Sequence, residues 1–143
     1  MLQNVPISEI MTEEIEVVEQ DQNIKDVLNL LAEYSVQHIP VIGDGELVGL
    51  VSSSDIMDHS IALLNGSRQQ TDVESVEHTC IEQIMSTELI ILSIDSTVLD
   101  AAEILSGGNI HSIPIVDNSN SLVGIVTSTD LIKFLMNQLQ LDL

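Results

Sequence analysis

Aromatic side chains are almost missing from this chain: there is one Tyr, one Phe and no Trp in 143 residues. Any interior must then be built from Ile, Leu, Val, Ala and Met, the mixture that fills a layered α/β core. Basic residues are nearly as scarce. Only 3 Lys and Arg face 23 Asp and Glu, for a formal net charge of −20. Nucleic acids and anionic membranes are held chiefly through Lys and Arg, so neither is expected as a partner. The single cysteine, Cys80, has no second thiol in the chain to pair with, which fits a reducing compartment. No run approaches the roughly 20 apolar residues that span a bilayer. Residues 1–13 hold no basic residue and no signal-type apolar stretch, so a cytoplasmic location is expected.

Catalytic signatures are missing too. There is no P-loop and no G-x-G-x-x-G string, and no nucleophile–base arrangement of catalytic pattern appears. His78 and Cys80 have H-x-C spacing, which is neither a metal motif nor a catalytic pair. Asp58-His59 near Asp55 offers at most a weak cation site. The chain is read as a non-enzyme with no required cofactor.

What is present is an apolar content of 44% and a mean hydropathy of +0.30, ample for a folded domain. Above all there is an internal repeat. Ile10-Met11 recurs as Ile84-Met85, an offset of 84 − 10 = 74. The same offset relates Asp21 to Asp95, Asp26 to Asp100, Leu31 to Leu105, and Ile39-Pro40 to Ile113-Pro114. One residue is then gained, and from there the offset is 75. Leu47-Val48-Gly49 matches Leu122-Val123-Gly124, and Asp55 matches Asp130. Drift by one residue inside a turn is what duplication of a folded unit leaves behind.

Period and punctuation predict a β-α-β-β-α plan for each copy. In the first copy, residues 15–18 extend, and Ile24, Val27, Leu28 and Leu31 mark one helical face. Ile39-Pro40-Val41-Ile42 is a buried strand whose proline should sit at its start or edge. Gly43-Asp44-Gly45 turns the chain, 47–51 return, and Ser52 to Ser54 cap a helix over 55–64. In the second copy, 89–92 extend, 98–105 are helical, and Gly107-Gly108 stop that helix. Ser112 to Val116 and Leu122 to Val126 form a hairpin, and a last helix covers 129–139. The expected organisation is a first repeat over 1–64, a polar surface linker over 65–79 and a second repeat over 80–143. Neither copy buries its own faces alone, so the pair is expected to pack through its sheets with pseudo-twofold symmetry. One continuous core and a shared cleft should result.

The strings His38-Ile39-Pro40-Val41-Ile42, Gly49-Leu50-Val51-Ser52-Ser53-Ser54-Asp55 and Ile10-Met11-Thr12 resemble the cystathionine-β-synthase (CBS) domain pattern. Their partners are Ser112-Ile113-Pro114-Ile115-Val116, Gly124-Ile125-Val126-Thr127-Ser128-Thr129-Asp130 and Ile84-Met85-Ser86. The resemblance covers about residues 7–136 and implies a tandem CBS pair, or Bateman module. It also implies adenosine nucleotides or related adenosyl compounds as regulatory ligands. The chemistry suits the residues: an ionised Asp at a helix start can accept both ribose hydroxyls, and the helix N-terminus favours an anion.

Carried over by position, the resemblance makes Thr127, Asp130, Ile113, Pro114 and Ser86 ligand contacts, together with Ser52, Asp55, Ile39, Pro40 and Thr12. The isoleucines and prolines would form an apolar wall for the purine, and Thr12 and Ser86 would approach the base. Asp55 and Asp130 also have a plain reading as helix-starting acids, and Ser52 and Thr127 as caps. Lys133, one helical turn after Asp130, is a candidate phosphate contact, against a plain reading as a solvent-facing lysine. With only Lys25, Arg68 and Lys133 to meet phosphates, AMP or another adenosyl compound is expected over ATP.

The expected function is thus a stand-alone regulatory sensor acting on an unidentified effector protein. The family often dimerises through helix faces, and Ile56, Ile61, Leu64, Leu131, Phe134 and Leu135 suit a homodimer. The alternative is a ligand-free interaction module whose acidic surface docks a basic partner.

Overall fold

The computed structural model describes residues 4–33, 38–66 and 77–141. Arg68, Asp72 and Glu74 of the expected linker lie outside these, as does the side chain of Leu64. Among the described residues the fold is mixed α/β, with two three-stranded sheets of orders β1-β2-β3 and β4-β5-β6. In the first repeat β1 is Val18–Glu19, α1 is Ile24–Glu33, β2 is His38–Gly43, β3 is Glu46–Ser52 and α2 is Ser53–Gly66. In the second, β4 is Leu92–Ser93, α3 is Val98–Leu105, β5 is Ser112–Val116, β6 is Leu122–Thr127 and α4 is Ser128–Leu141. Single turns of 3-10 helix, Ile7–Glu9 and Ile81–Gln83, precede the two copies of the Ile-Met pair.

The opening strands start later than the apolar runs suggest. Only Val18 and Glu19 pair with β2, opposite Val41 and Ile42, and only Leu92 and Ser93 pair with β5. Val17, Ile90 and Ile91 stay exposed. An apolar run marks an extended segment, but the ladder begins where a partner lies alongside.

The two turns account for the change of offset. β2 and β3 close on Asp44 and Gly45, both at positive φ (52° and 81°), the backbone that a two-residue hairpin requires. The second hairpin needs five residues between Val116 and Leu122 against four between Ile42 and Leu47. Asp117 organises it, its Oδ1 accepting from the N–H groups of Ser119 (2.9 Å) and Ser121 (3.0 Å). Helix α3 ends at Leu105 with Ser106 as its C-cap, and Gly108 takes the left-handed conformation beyond it at φ 80°.

Among the described residues, the four helices α1 to α4 begin alike. Asn23 and Asp26 exchange backbone-to-side-chain bonds at the start of α1 (3.1 and 3.2 Å). Thr97 and Asp100 do so at α3 (2.9 and 3.2 Å). Ser52 with Asp55, and Thr127 with Asp130, repeat the arrangement at α2 and α4. These are reciprocal capping boxes. The repeated Asp26 and Asp100 therefore have a local structural cause.

Prolines 40 and 114 stand in the central strand of each sheet, where a ladder donor is normally required. Pro40 faces Leu50, whose N–H and C=O both turn outward to Ser86 (3.0 and 2.8 Å). The pair is therefore non-hydrogen-bonded on the β3 side, and the Pro40 nitrogen points toward β1. There β1 begins only opposite the next residue, Val41. Pro114, opposite Ile125, repeats this geometry. Neither proline leaves a donor missing.

The chain forms two compact units that divide it differently from the repeat: residues 1–15 with 90–143, and residues 16–89. Each unit has its own apolar cluster. Ile7 joins Ala101, Leu105, Ile113, Ile115 and Val126 in one. Ile81 joins Val18, Ile24, Val27, Ile39, Val41, Val51 and Ile56 in the other. Each repeat's leading segment is thus built into the unit that carries the other repeat's hairpin. Backbone bonds agree: Ile7 N–H donates to Ser96 O and Ile81 N–H to Gln22 O, both at 2.9 Å.

Candidate functional site

The exchange of leaders decides which residues meet. In the first unit, the Thr12 N–H donates to Ile125 O (2.7 Å) and the Ile125 N–H to Thr12 O (2.9 Å). Thr12 thereby lies along the outer edge of β6. In the second unit, Ser86 and Leu50 make the matching exchange on β3. Glycine makes this approach possible. A Cβ on Gly124 would stand 2.6 Å from the Met11 Sδ, and one on Gly49 would stand 2.6 Å from the Met85 Sδ. The methionine of each Ile-Met pair therefore lies across the glycine of the opposite repeat. The recurrence of the two strings marked the duplication, but the contact between them was not legible in the pattern.

Thr127 and Asp130 form the corner at the start of α4. The Thr127 N–H donates to Asp130 Oδ2 (3.0 Å), and the Asp130 N–H donates to Thr127 Oγ1 (3.0 Å). The Thr12 hydroxyl reaches across to both carboxylate oxygens, at 3.4 Å to Oδ1 and 3.3 Å to Oδ2. Thr12, Thr127 and Asp130, far apart in sequence, are thus brought together. Asp130 is half-buried and Thr12 is exposed, so the corner remains open to solvent on the leader side.

Ser52 and Asp55 make the corresponding corner at α2 with different wiring. Asp55 Oδ2 accepts from the Ser52 N–H (2.8 Å) and from the Ser52 hydroxyl (3.0 Å), while the Asp55 N–H donates to Ser52 Oγ (3.2 Å). Ser86 reaches this unit's β3 through its backbone. Among the described residues its hydroxyl makes no bond to Asp55 corresponding to that of Thr12 with Asp130. Ser52 is buried and Asp55 half-buried.

Each carboxylate therefore has a structural task, as Asp26 and Asp100 do. What sets Asp130 apart from those two is the hydroxyl brought to it from a distant segment. The free acceptor capacity of each corner, beside helix N–H groups, suits a diol or an anion.

Other expected contacts fall less simply. Ile39 and Ile113 are 0% exposed inside the two apolar clusters, so as they stand they offer no surface to a purine. Pro40 and Pro114 point to the opposite sheet face by strand alternation and are also buried. Lys133 is exposed on α4, one turn beyond Asp130. His38 and His111 are exposed at strand starts. Cys80 has its thiol against Gln20 O (3.2 Å). Among the described residues, no cluster of His, Cys, Asp and Glu is arranged to hold a metal ion, and no helix is long and apolar enough to cross a membrane.

The apolar residues expected to form an outer helix face divide. Ile56 is core, and Leu131 packs against the other cluster. The exposed set is Met57 and Ile61 on α2, and Ile132, Leu135, Met136 and Leu139 on α4. The α4 set follows i, i+3, i+4, i+7 spacing, which is one stripe along the helix.

Comparison with known proteins places this geometry. The CBS domain family model matches residues 7–62 and 81–137. The uncharacterized protein MJ1426 of Methanocaldococcus jannaschii is 31% identical, over 91% of this chain and 90% of that protein. The CBS domain-containing protein YhcV of Bacillus subtilis is 32% identical, over 87% of this chain and 81% of that one. Other relatives are longer. The chain spans 44% of the M. jannaschii protein MJ0188 and 25% of a homoserine O-acetyltransferase of Methanohalobium evestigatum. Among solved structures, the CBS domain pair of protein MJ0100, in complex with 5′-methylthioadenosine and S-adenosyl-L-methionine, superposes with a TM-score of 0.71. Its identity is 26%, covering 94% of this chain and 98% of that one. The structure of CBSX2 in complex with AMP has the same fold, with a TM-score of 0.77, 24% identity, and coverage of 93% of this chain and 97% of that one. The chain therefore belongs to the CBS domain family, of which it carries two copies.

Proposed function

We propose that this chain is a regulatory, non-catalytic sensor of an adenosine-containing ligand, which it reports to a partner protein. The observation that carries the reading is the corner at α4. A half-buried aspartate holds the helix start through Oδ2 and also takes a hydroxyl from a leader threonine 118 positions away. A ribose diol offers the same kind of donor to the same oxygens. That relatives of this fold bind AMP, or methylthioadenosine and S-adenosylmethionine, supports an adenosyl ligand. The scarcity of cations favours AMP or an adenosyl compound over ATP, whose triphosphate needs more positive charge than 3 basic residues supply. The exposed apolar stripe on α4 favours assembly with a second copy as the route by which binding is transmitted.

Thermal melting of the chain with AMP, S-adenosylmethionine, NAD and ATP tests this. A ligand at 100 times its Kd adds about 2.7 kcal/mol, which for a chain of this size raises Tm by roughly 5–10 °C. The Asp55→Asn, Asp130→Asn double variant should lose the shift. No shift with any of the four compounds would refute the reading.

The second reading is a ligand-free module that docks a basic partner through its acidic surface. It draws on the capping boxes at α1 and α3, in which acids of the same pattern hold a helix start. Capture of a partner that survives the double variant but fails at high salt would favour it.

A further inference from the structure

The two corners are copies of one motif, but they differ in the sign of the charge beside them. The offset that relates Asp55 to Asp130, 130 − 55 = 75, carries Asp58 onto Lys133, since 133 − 58 = 75. Each lies three residues beyond its corner aspartate and so on the same helix face, one turn along. Both side chains are exposed. Along α4, Asp130 and Lys133 are the only formally charged side chains; along α2 the only formally charged ones are Asp55 and Asp58. The first pair sums to zero and the second to −2. The wiring of the carboxylates differs in the same sense. Asp130 is met by the Thr12 hydroxyl at both oxygens. On Asp55 all the bonds fall on Oδ2, and among the described residues Oδ1 accepts none.

We propose that the two corners take adenosyl ligands of different charge: the Asp130–Lys133 corner a 5′-phosphorylated adenosine, and the Asp55–Asp58 corner a neutral or cationic 5′-substituted adenosine. The inference rests on the adenosine reading of both corners and adds to it which ligand goes where. Lys133 can approach an anion attached at the 5′ position of a ribose seated on Asp130, and the α4 N-terminus reinforces it. Asp58 in the same relation repels a phosphate and attracts a sulfonium or ammonium group. Both side chains are solvated, so the effect is screened. A reversal of charge at about one helical turn then changes relative affinity by about tenfold. The chain would read the balance of two adenosine derivatives rather than the level of one.

The test is calorimetric titration of the full chain with AMP, 5′-methylthioadenosine and S-adenosylmethionine, each corner being isolated by disabling the other. In Asp55→Asn, which leaves the Asp130 corner, AMP should bind about tenfold tighter than methylthioadenosine, and adding Lys133→Asp should remove that preference. In Asp130→Asn, which leaves the Asp55 corner, the order should invert, with S-adenosylmethionine tightest, and adding Asp58→Lys should restore AMP. Asparagine keeps a cap acceptor in each case, and an unchanged circular dichroism melt verifies the fold. Equal AMP-to-methylthioadenosine ratios at the two corners, or ratios unmoved by the charge swaps, would overturn the proposal while leaving the adenosine reading standing. Failure of all three compounds to bind the unmodified chain would remove the adenosine reading itself, and this proposal with it.

Discussion

Gly124→Ala probes the contact that brings Thr12 to Asp130. An added Cβ would stand 2.6 Å from the Met11 Sδ, 2.9 Å from its Cγ and 3.3 Å from its Cβ. Ordinary carbon contacts lie at about 3.5–4.0 Å, so the overlap reaches about 1 Å. It also extends to the root of the methionine side chain, so a swing of its tip does not relieve it. Overpacking of this kind costs about 1–3 kcal/mol, and Tm should fall by roughly 3–9 °C. Moving Met11 also strains the backbone exchange between Thr12 and Ile125. The cause is isolated by a double-mutant cycle in urea. Met11→Ala, which trims a half-buried side chain, should cost about 1–2 kcal/mol. In that background Gly124→Ala should become nearly neutral, leaving a coupling of about 1–2 kcal/mol. Additive effects of the two substitutions, or a Gly124→Ala change below about 0.5 kcal/mol alone, would refute the packing argument.

Ile7→Ala should cost about 2–5 kcal/mol as a cavity in the core. Amide exchange should locate the loss in the Ser112–Thr127 hairpin and spare His38–Ser52, although Ile7 opens the first repeat. Ile81→Ala should show the reverse. Asp130→Ala, losing half of a capping box, should cost about 1 kcal/mol, whereas Asp130→Asn should stay within about 0.5 kcal/mol. Both should sharply reduce stabilisation by AMP, leaving only what the Asp55 corner contributes, which separates the capping task from the binding one in melts with and without ligand. Thr12→Val, which keeps the backbone bridge, should change stability by less than about 0.5 kcal/mol. Thr12→Pro, which removes the N–H donated to Ile125, should cost about 1–3 kcal/mol in urea denaturation.

The repeat was legible because duplication leaves matched pairs such as Ile39-Pro40 and Ile113-Pro114 at a constant offset. The hairpins were legible from alternation and from Asp44-Gly45. The opening strands begin late because only Val18 and Glu19, and Leu92 and Ser93, lie beside a partner strand, and local pattern carries no information about neighbours. The prolines were expected at strand starts or edges. They occupy central strands because the ladder on one side stops a residue short. The exchange of leaders was hidden for a deeper reason. Ile10-Met11-Thr12 and Ile84-Met85-Ser86 are near-equivalent strings facing near-equivalent hairpins, so sequence similarity scores both pairings alike. Only the path of the chain between them decides. Ile39 and Ile113, read as a wall for the purine, are fully committed to the core, since an isoleucine on a central strand is drawn inward by the same apolarity that suggested the wall. The corner aspartates stand at helix starts as their place in the repeat suggested, but the same capping box recurs at α1 and α3, so their pattern alone does not separate binding from folding.

The most direct measurement is a crystal structure of the chain grown with AMP. The account predicts the ribose hydroxyls on the Asp130 carboxylate, with the Thr12 hydroxyl turned away from the oxygens it now meets at 3.3 and 3.4 Å. AMP bound at neither aspartate, with the Thr12–Asp130 bond intact, would contradict it.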